Sequence, residues 1–340
     1  MTNLVFMKQN SPSLSRPFTI GAAPLAVKTW LDPDQFLIRD LAEKADHLSE
    51  SHEVVFRQTP ETQAAQAEVR DMIVAHLLEH FPNLYRRNGD LIHVTGGPSV
   101  ALAQSAPLEA ASRLIQEDLC LMRRKADGWH LVAASLCFPS SWSLAEKIGQ
   151  NMAHIHAPVP GFHGRMHDLV GRMFDAMQVE LPMLRFNWSL YGDAKLHHPE
   201  THADPERFPA HTPVIDVAHL RVERQTLRKL PSSGDILFTI RIYTDPLNGL
   251  AGHPRGAALA ASLQQHLSAM TPEQLAYKGL SHMRERLVQG LEDLSKVLPT
   301  ARSAALRLQP FPKCCIYARL PTIPGGPELF NNGSVEPDGG

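Results

Sequence analysis

Cysteine is scarce in this chain: four in 340 residues, Cys120, Cys137, Cys314 and Cys315, with no CxxC pair and no framework spacing. That rules out a disulfide-stapled secreted scaffold and an iron–sulfur site, and points to a reduced, cytoplasmic protein. An excess of one charge is also lacking. Lys and Arg total 33 against 35 Asp and Glu, a formal net charge of -2, without a long basic or acidic block. Nucleic acid and membrane surfaces are therefore poor partners. No apolar run approaches the roughly 18 residues of a spanning helix. Met1 to Asn10 has no charged start followed by an apolar stretch, so no secretory signal is expected. There is no GxGxxG after a strand, no P-loop, no HExxH, no GxSxG elbow, no CxxCH and no internal repeat.

What is present suits a packed core in one or two domains: 43% of residues are hydrophobic and 20% charged. Glu61 to His80 reads as a helix, with Val69, Met72, Ile73, His76 and Leu77 on one face and Phe81-Pro82 at its end. Leu119 to Met122 and Trp129 to Phe138 read as strands joined by the hairpin signal Ala126-Asp127-Gly128. His163 to Gln178 is the clearest helix, its apolar stripe running Met166, Leu169, Val170, Met173, Phe174, Met177. Such a stripe is more often packed core than cofactor wall, although thioethers suit a flat apolar cofactor. Three further strands follow: Leu184 to Tyr191, Ala218 to Arg228 and Asp235 to Tyr243. The loop from Gly192 to Val217, between the first two of these, is long enough to be functional or mobile. Thr271-Pro272-Glu273-Gln274 opens a helix expected to run to about Leu298, and the Pro/Gly/Asn-rich end reads as disordered.

This order predicts an α+β fold: one antiparallel five-stranded sheet with helices packed on a single face. Its strand order matches the PAS architecture, whose sheet and helices enclose a cofactor pocket. The expected divisions are an N-terminal extension with a helix over 1–84, a core over 85–245, C-terminal helices packed on it over 246–300, and a mostly irregular tail over 301–340.

Two stretches carry the chemistry. In the first, Ser143 and Glu146 are spaced as a capping box for a helix of about Ser143 to Gln150. His156 follows, and Pro158 and Pro160 just after it restrict how that side chain can move. A rigidly held imidazole suits a ligand. His154-Ile155-His156 is the nearest metal-like spacing, but an extended segment would turn those two rings apart. Most of the 18 histidines, among them His197, His198, His202 and His211, read as solvated. The second stretch is the strand Leu220 to Arg228. Alternation puts Arg221, Glu223, Gln225 and Leu227 on one face and Val222, Arg224, Thr226 and Arg228 on the other. It is either a solvated face with an internal ion pair or the lining of a pocket, in which an Arg would grip a carboxylate and a Glu a cation.

Together, Gln116 to Leu119, Cys137-Phe138-Pro139 with Trp142, Ile155-His156 with Pro158-Val159-Pro160, Arg185 to Trp188, Arg221 to Leu227 with Leu230-Pro231, and Phe238 to Arg241 resemble the haem-dependent oxidative N-demethylase family over about Trp30 to Leu298. The resemblance implies a PAS-type pocket holding haem b. It also implies oxygen-dependent removal of a methyl group from a small secondary alkylamine such as dimethylamine, releasing formaldehyde. Electrons would come from NADPH through separate reductase subunits carrying FMN and a [2Fe-2S] centre, leaving this chain as the haem monooxygenase subunit. The iron ligand expected is His156, with His163, His167 and the thiols of Cys120 and Cys137 as alternatives. Arg224 and Arg241 are candidates for haem propionates or bound oxygen, and Met173 and Trp142 for the cofactor's walls. A protonated amine calls for a carboxylate: Glu223 first, then Glu117 and Asp118. A haem-based gas or redox sensor and a cofactor-free binding protein are the alternatives from other classes.

Overall fold

The computed structural model describes residues 21–103, 105–200, 208 and 212–297; the expected tail over 301–340 lies outside them. The strands are β1 (Ala23–Pro24), β2 (Phe56–Gln58), β3 (Tyr85–Asn88), β4 (Leu91–Val94), β5 (Ser99–Ala101), β6 (Asp118–Lys125), β7 (Gly128–Ser135), β8 (Met183–Tyr191), β9 (His219–Lys229) and β10 (Ile236–Pro246). Between and after them run the helices α1 (Leu37–Glu50), α2 (His52–Val55), α3 (Gln63–His80), α4 (Pro107–Ser112), α5 (Leu144–Lys147), α6 (Met152–Ile155), α7 (Arg165–Asp175), α8 (Val214–Val217), α9 (Gly256–Ala269), α10 (Pro272–Tyr277) and α11 (Arg284–Val297).

The α+β class is as expected. The main sheet has seven strands rather than five, in the order β1-β8-β9-β10-β6-β7-β2, and β3-β4-β5 form a second, three-stranded sheet. The five strands read from the sequence are its contiguous centre, and the short β1 and β2 extend its edges. Nor are the helices confined to one face. Eight consecutive residues of β9, Leu220 to Thr226 and Leu227, are buried, as are seven consecutive residues of β7. Unbroken burial of that kind requires cover on both sides of a sheet.

The side chains identify the two covers. Ser135 on β7 donates to Ser112 of α4 (2.7 Å), and Arg123 on β6 reaches the backbone oxygen of Glu61 just before α3 (3.0 Å). One face therefore carries α3 and α4. On the opposite face, Trp129 Nε1 and Arg124 Nε both donate to Asp175 at the end of α7 (2.8 and 3.0 Å). A β-bulge makes the switch possible: Leu121 pairs with Ala133 but Met122 with Leu131, so Val132 is the extra residue. The C-terminal helices form their own apolar cluster against Trp188, Leu190, Leu220, Val222 and Tyr243, with Leu263, Leu267, Leu287 and Leu291 at its centre. The helix expected from Thr271 to Leu298 is two helices, α10 and α11, and the Thr271–Gln274 capping box forms in full. The one read at Ser143 and Glu146 does not: Ser143 makes no side-chain cap bond, and α5 is a single turn.

His76, on the inward face of α3, lies edge-on to Trp30 (5.2 Å) and beside His80 and Phe81. Burial, with His80 and Arg228 adding to it, lowers its pKa from 6.5 to about 4. The unfolded chain takes up this proton below pH 6.5 while the folded chain refuses it. The contribution is thus complete above pH 6.5 and is lost as pH falls toward 4. His76→Leu is expected to flatten the acid limb of stability against pH in this window, by on the order of 2 kcal/mol. Urea midpoints across the range measure it, and an unchanged slope would show that the folded chain accepts the proton.

Candidate functional site

The site is built on the face of the main sheet that α7 covers. Cross-strand register places Arg185 of β8, Gln225 of β9 and Ile240 of β10 in one row, with Asn187, Glu223 and Ile242 in the next. These are the alternating residues read from the sequence, and the face is a lining rather than a solvated surface: Glu223 and Gln225 are each 6% exposed. Gln225 Nε2 donates to Glu223 Oε2 at 2.5 Å and Asn187 Nδ2 to the same oxygen at 3.3 Å. Gln225 Oε1 is buried with no hydrogen-bond partner.

Above this row the cover is incomplete. Phe238 belongs to β10, a strand flanked by β9 and β6, yet it is only half-buried, and Met183 on β8 likewise. On α7, Phe174 is the one buried residue; Met166, Val170 and Met173 are half-buried and Leu169 is exposed. Ile155 and Val159, in the segment leading to α7, complete the same partly buried set. The Met-rich stripe is therefore packed core only in part: Phe174 and Met177 are buried, while Met166, Val170 and Met173 lie half-covered against the core. Its helix is fastened at one end by Asp175 and Phe174, leaving a half-covered apolar face along its middle. Thioethers and a half-open aromatic ring suit a flat apolar molecule.

His156 caps the end of α6, in the segment that leads to α7. Its Nδ1 lies 3.0 Å from the Met152 carbonyl, so Nδ1 carries the proton and Nε2 the lone pair. Phe162 stacks on the ring (4.3 Å between centroids, 19° between planes). Burial pushes the imidazole down to about 4, against the Met152 hydrogen bond and helped by Arg185, Lys147 and His167. A neutral ring, its tautomer set by a backbone carbonyl, is the form that ligates a metal. Among the described residues no group of three or more His, Cys, Asp or Glu could hold a bare metal ion. Haem needs a single protein ligand and apolar surroundings, and the neutral His156 with the half-covered apolar residues of α7 suits that chemistry. His163 and His167 are weaker: the first bonds the Ala157 carbonyl and the second Asp168, both at 3.3 Å and both at exposed positions. The thiols of Cys137 and Cys120 are buried; burial pushes Cys137 up to about 12 and Cys120 higher still. Neither ionises readily.

The other residues singled out from the sequence are brought elsewhere. Arg224 and Arg241 point to the opposite face. Arg224 donates to the carbonyls of Trp30 (2.9 Å) and Thr29, while Arg241 pairs with Asp34 (3.0 Å) and Asp40 (3.6 Å). With Tyr243 on Asp32, they hold the segment before α1 against the sheet. Glu117 accepts from the Asp32 amide (3.0 Å) in that layer. Trp142 stands with His197, Pro139 and Leu144 around a separate small pocket. Asp118 is fully buried and accepts from the amides of Cys137 (2.9 Å) and Phe138 (2.8 Å), with Lys44 at 3.9 Å. Burial raises its pKa to about 6, against the pull of Lys44, those two amides and Arg221. Not foreseen were Tyr277 and Lys278, which α10 brings within electrostatic reach of Glu223. Lys278, wholly enclosed, donates to the Trp188 carbonyl (2.6 Å), and its pKa falls to about 8 through burial. No local pattern marks a lysine 55 residues past Glu223 as its neighbour.

One end of the site is closed by Arg221, which is fully buried. Its guanidinium donates to Ser140 Oγ and to the carbonyls of Lys195, Phe138, Pro139 and Leu196, at 2.9–3.2 Å. It thereby ties two loops to β9. Arg221→Met is expected to cost about 3 kcal/mol or more, because buried carbonyls lose their donors. Urea denaturation measures it; a loss under about 1 kcal/mol would mean that the loops are held by other contacts.

A protein-family model described as haem-dependent oxidative N-demethylase, alpha subunit-like matches residues 21–288.

Proposed function

Since the chain belongs to the haem-dependent oxidative N-demethylase, alpha subunit-like family, we propose that it is the haem-binding subunit of an amine monooxygenase acting on a small secondary alkylamine such as dimethylamine. His156 is the iron ligand. The observation that carries this reading is its Nδ1–H bond to the Met152 carbonyl at 3.0 Å, which leaves a neutral Nε2 on a half-buried ring, in the segment that leads to the half-covered apolar face of α7. Bound there, haem b supplies activation of O2 and oxidation of an N-methyl carbon, so that formaldehyde is released.

The chain's own residues do the rest. Met166, Val170, Met173 and Phe238, half-covered here, would pack against the bound haem and keep water from it. Glu223 holds the protonated amine. Arg185 and Lys278 already lie within electrostatic reach of this carboxylate, and a cationic ligand would add direct N–H donors to it. Arg185, whose charge bears on both His156 and Glu223, is the residue proposed for a haem propionate, the part that the sequence suggests for Arg224 and Arg241. Electrons come from NADPH through reductase subunits carrying FMN and a [2Fe-2S] centre, since this chain has neither a dinucleotide fingerprint nor a cysteine cluster.

The purified protein is expected to show a Soret band that shifts with dithionite, and to release formaldehyde from dimethylamine when given NADPH and its reductase. His156→Ala should lose the band or move it. Haem bound with an unchanged spectrum in that variant would exclude His156 as ligand, and a colourless wild-type protein would exclude the function.

A further inference from the structure

We infer that Gln225 is a specificity-determining residue: with Glu223 it forms a pair of acceptors that selects amines by the number of N–H bonds they carry, and so favours a secondary over a tertiary ammonium. This rests on the N-demethylase reading and names what decides among its substrates.

The two residues are next-but-one on β9, face the same side, and are joined by Gln225 Nε2 donating to Glu223 Oε2 at 2.5 Å. That bond fixes the amide's orientation, because only its nitrogen can donate to a carboxylate. The remaining oxygen, Gln225 Oε1, is left buried and unpartnered on a side chain that is 94% enclosed. Glu223 Oε2 already receives Gln225 and Asn187, and Arg185 and Lys278 lie within electrostatic reach of the carboxylate. Gln225 Oε1 thus stands buried without a donor on a side chain bonded to that carboxylate. Arg185, the cross-strand partner of Gln225, puts them in the electrostatic neighbourhood of His156.

A dialkylammonium ion has two N–H donors and one positive charge, matching one carboxylate oxygen and one amide oxygen. A trialkylammonium has one donor and, given to the carboxylate, leaves Gln225 Oε1 buried without a partner; a quaternary ion donates to neither. A primary ammonium satisfies both acceptors but brings a third N–H that neither can take. Sites built around buried polar partners discriminate strongly against analogues that leave one unpaired. The expected order is dimethylammonium, then methylammonium, then trimethylammonium, then tetramethylammonium.

The test measures binding of these four ions, as chloride salts, to the haem-loaded protein by calorimetry and by the change in its absorption spectrum. Wild type should bind dimethylammonium roughly tenfold or more tightly than trimethylammonium. Gln225→Leu should bring that ratio toward one, while Glu223→Gln should weaken all four ions together because it removes the charge. Melting temperature and the Soret band report whether each variant is folded and loaded, and Gln225→Met replaces Gln225→Leu where the latter fails. A Gln225→Leu or Gln225→Met ratio equal to that of wild type overturns the inference but leaves the demethylase reading in place. If the loaded wild-type protein binds none of the four, the amine reading falls and takes this inference with it.

Discussion

A buried charge must be answered within the protein or by something that binds to it. Strand β9 poses that demand three times in four residues. Arg221 is answered by four carbonyls and a hydroxyl, Arg224 by the carbonyls of Thr29 and Trp30. Glu223 is answered by two amide nitrogens on one of its oxygens and, at longer range, by the charges of Arg185 and Lys278. In the proposed function an ammonium ligand joins that set.

The two faces of the sheet divide the work accordingly. One is sealed: the segment from Thr29 to Asp40 is held down by Arg224, Arg241, Tyr243, Gln116 and Glu117, and α3 and α4 close the remainder. The other is left partly open, with Phe238 and the stripe of α7 half-covered. A rigid sealed face lets the open one hold polar groups in place before any ligand arrives, and binding then costs little reorganisation. The loops that Arg221 and Asp118 tie to the sheet border the same face, so stability and site geometry share residues.

Much of this was legible from periodicity. The long helix α3, the β6–β7 hairpin and the strands β8 to β10 follow from period and turn chemistry, and His156 stood out through the prolines behind it. The edge strands β1 and β2 were not legible, because two or three residues carry no period and are defined by the partner they pair with. Alternation sorted Glu223 from Arg224 correctly, but it cannot say which face is the sealed one, and so Arg224 and Arg241 were assigned to the cofactor side. Single-faced helix packing failed for a related reason: charged residues on β9 look like a solvated face until their buried partners, hundreds of atoms away along the chain, are known. Lys278 depends on how α10 returns to the edge of β8, which no local pattern encodes.

The bulge at Val132 sets a parity for the chain. Trp129 and Ser135 are six residues apart, a spacing that strict alternation would turn to one side, yet they serve opposite layers, Asp175 of α7 and Ser112 of α4. Without Val132 the two would stand five apart, a spacing that regular alternation turns to opposite sides. The bulge therefore absorbs one extra residue in β7 while Trp129 keeps its partner Arg124 and its place over α7.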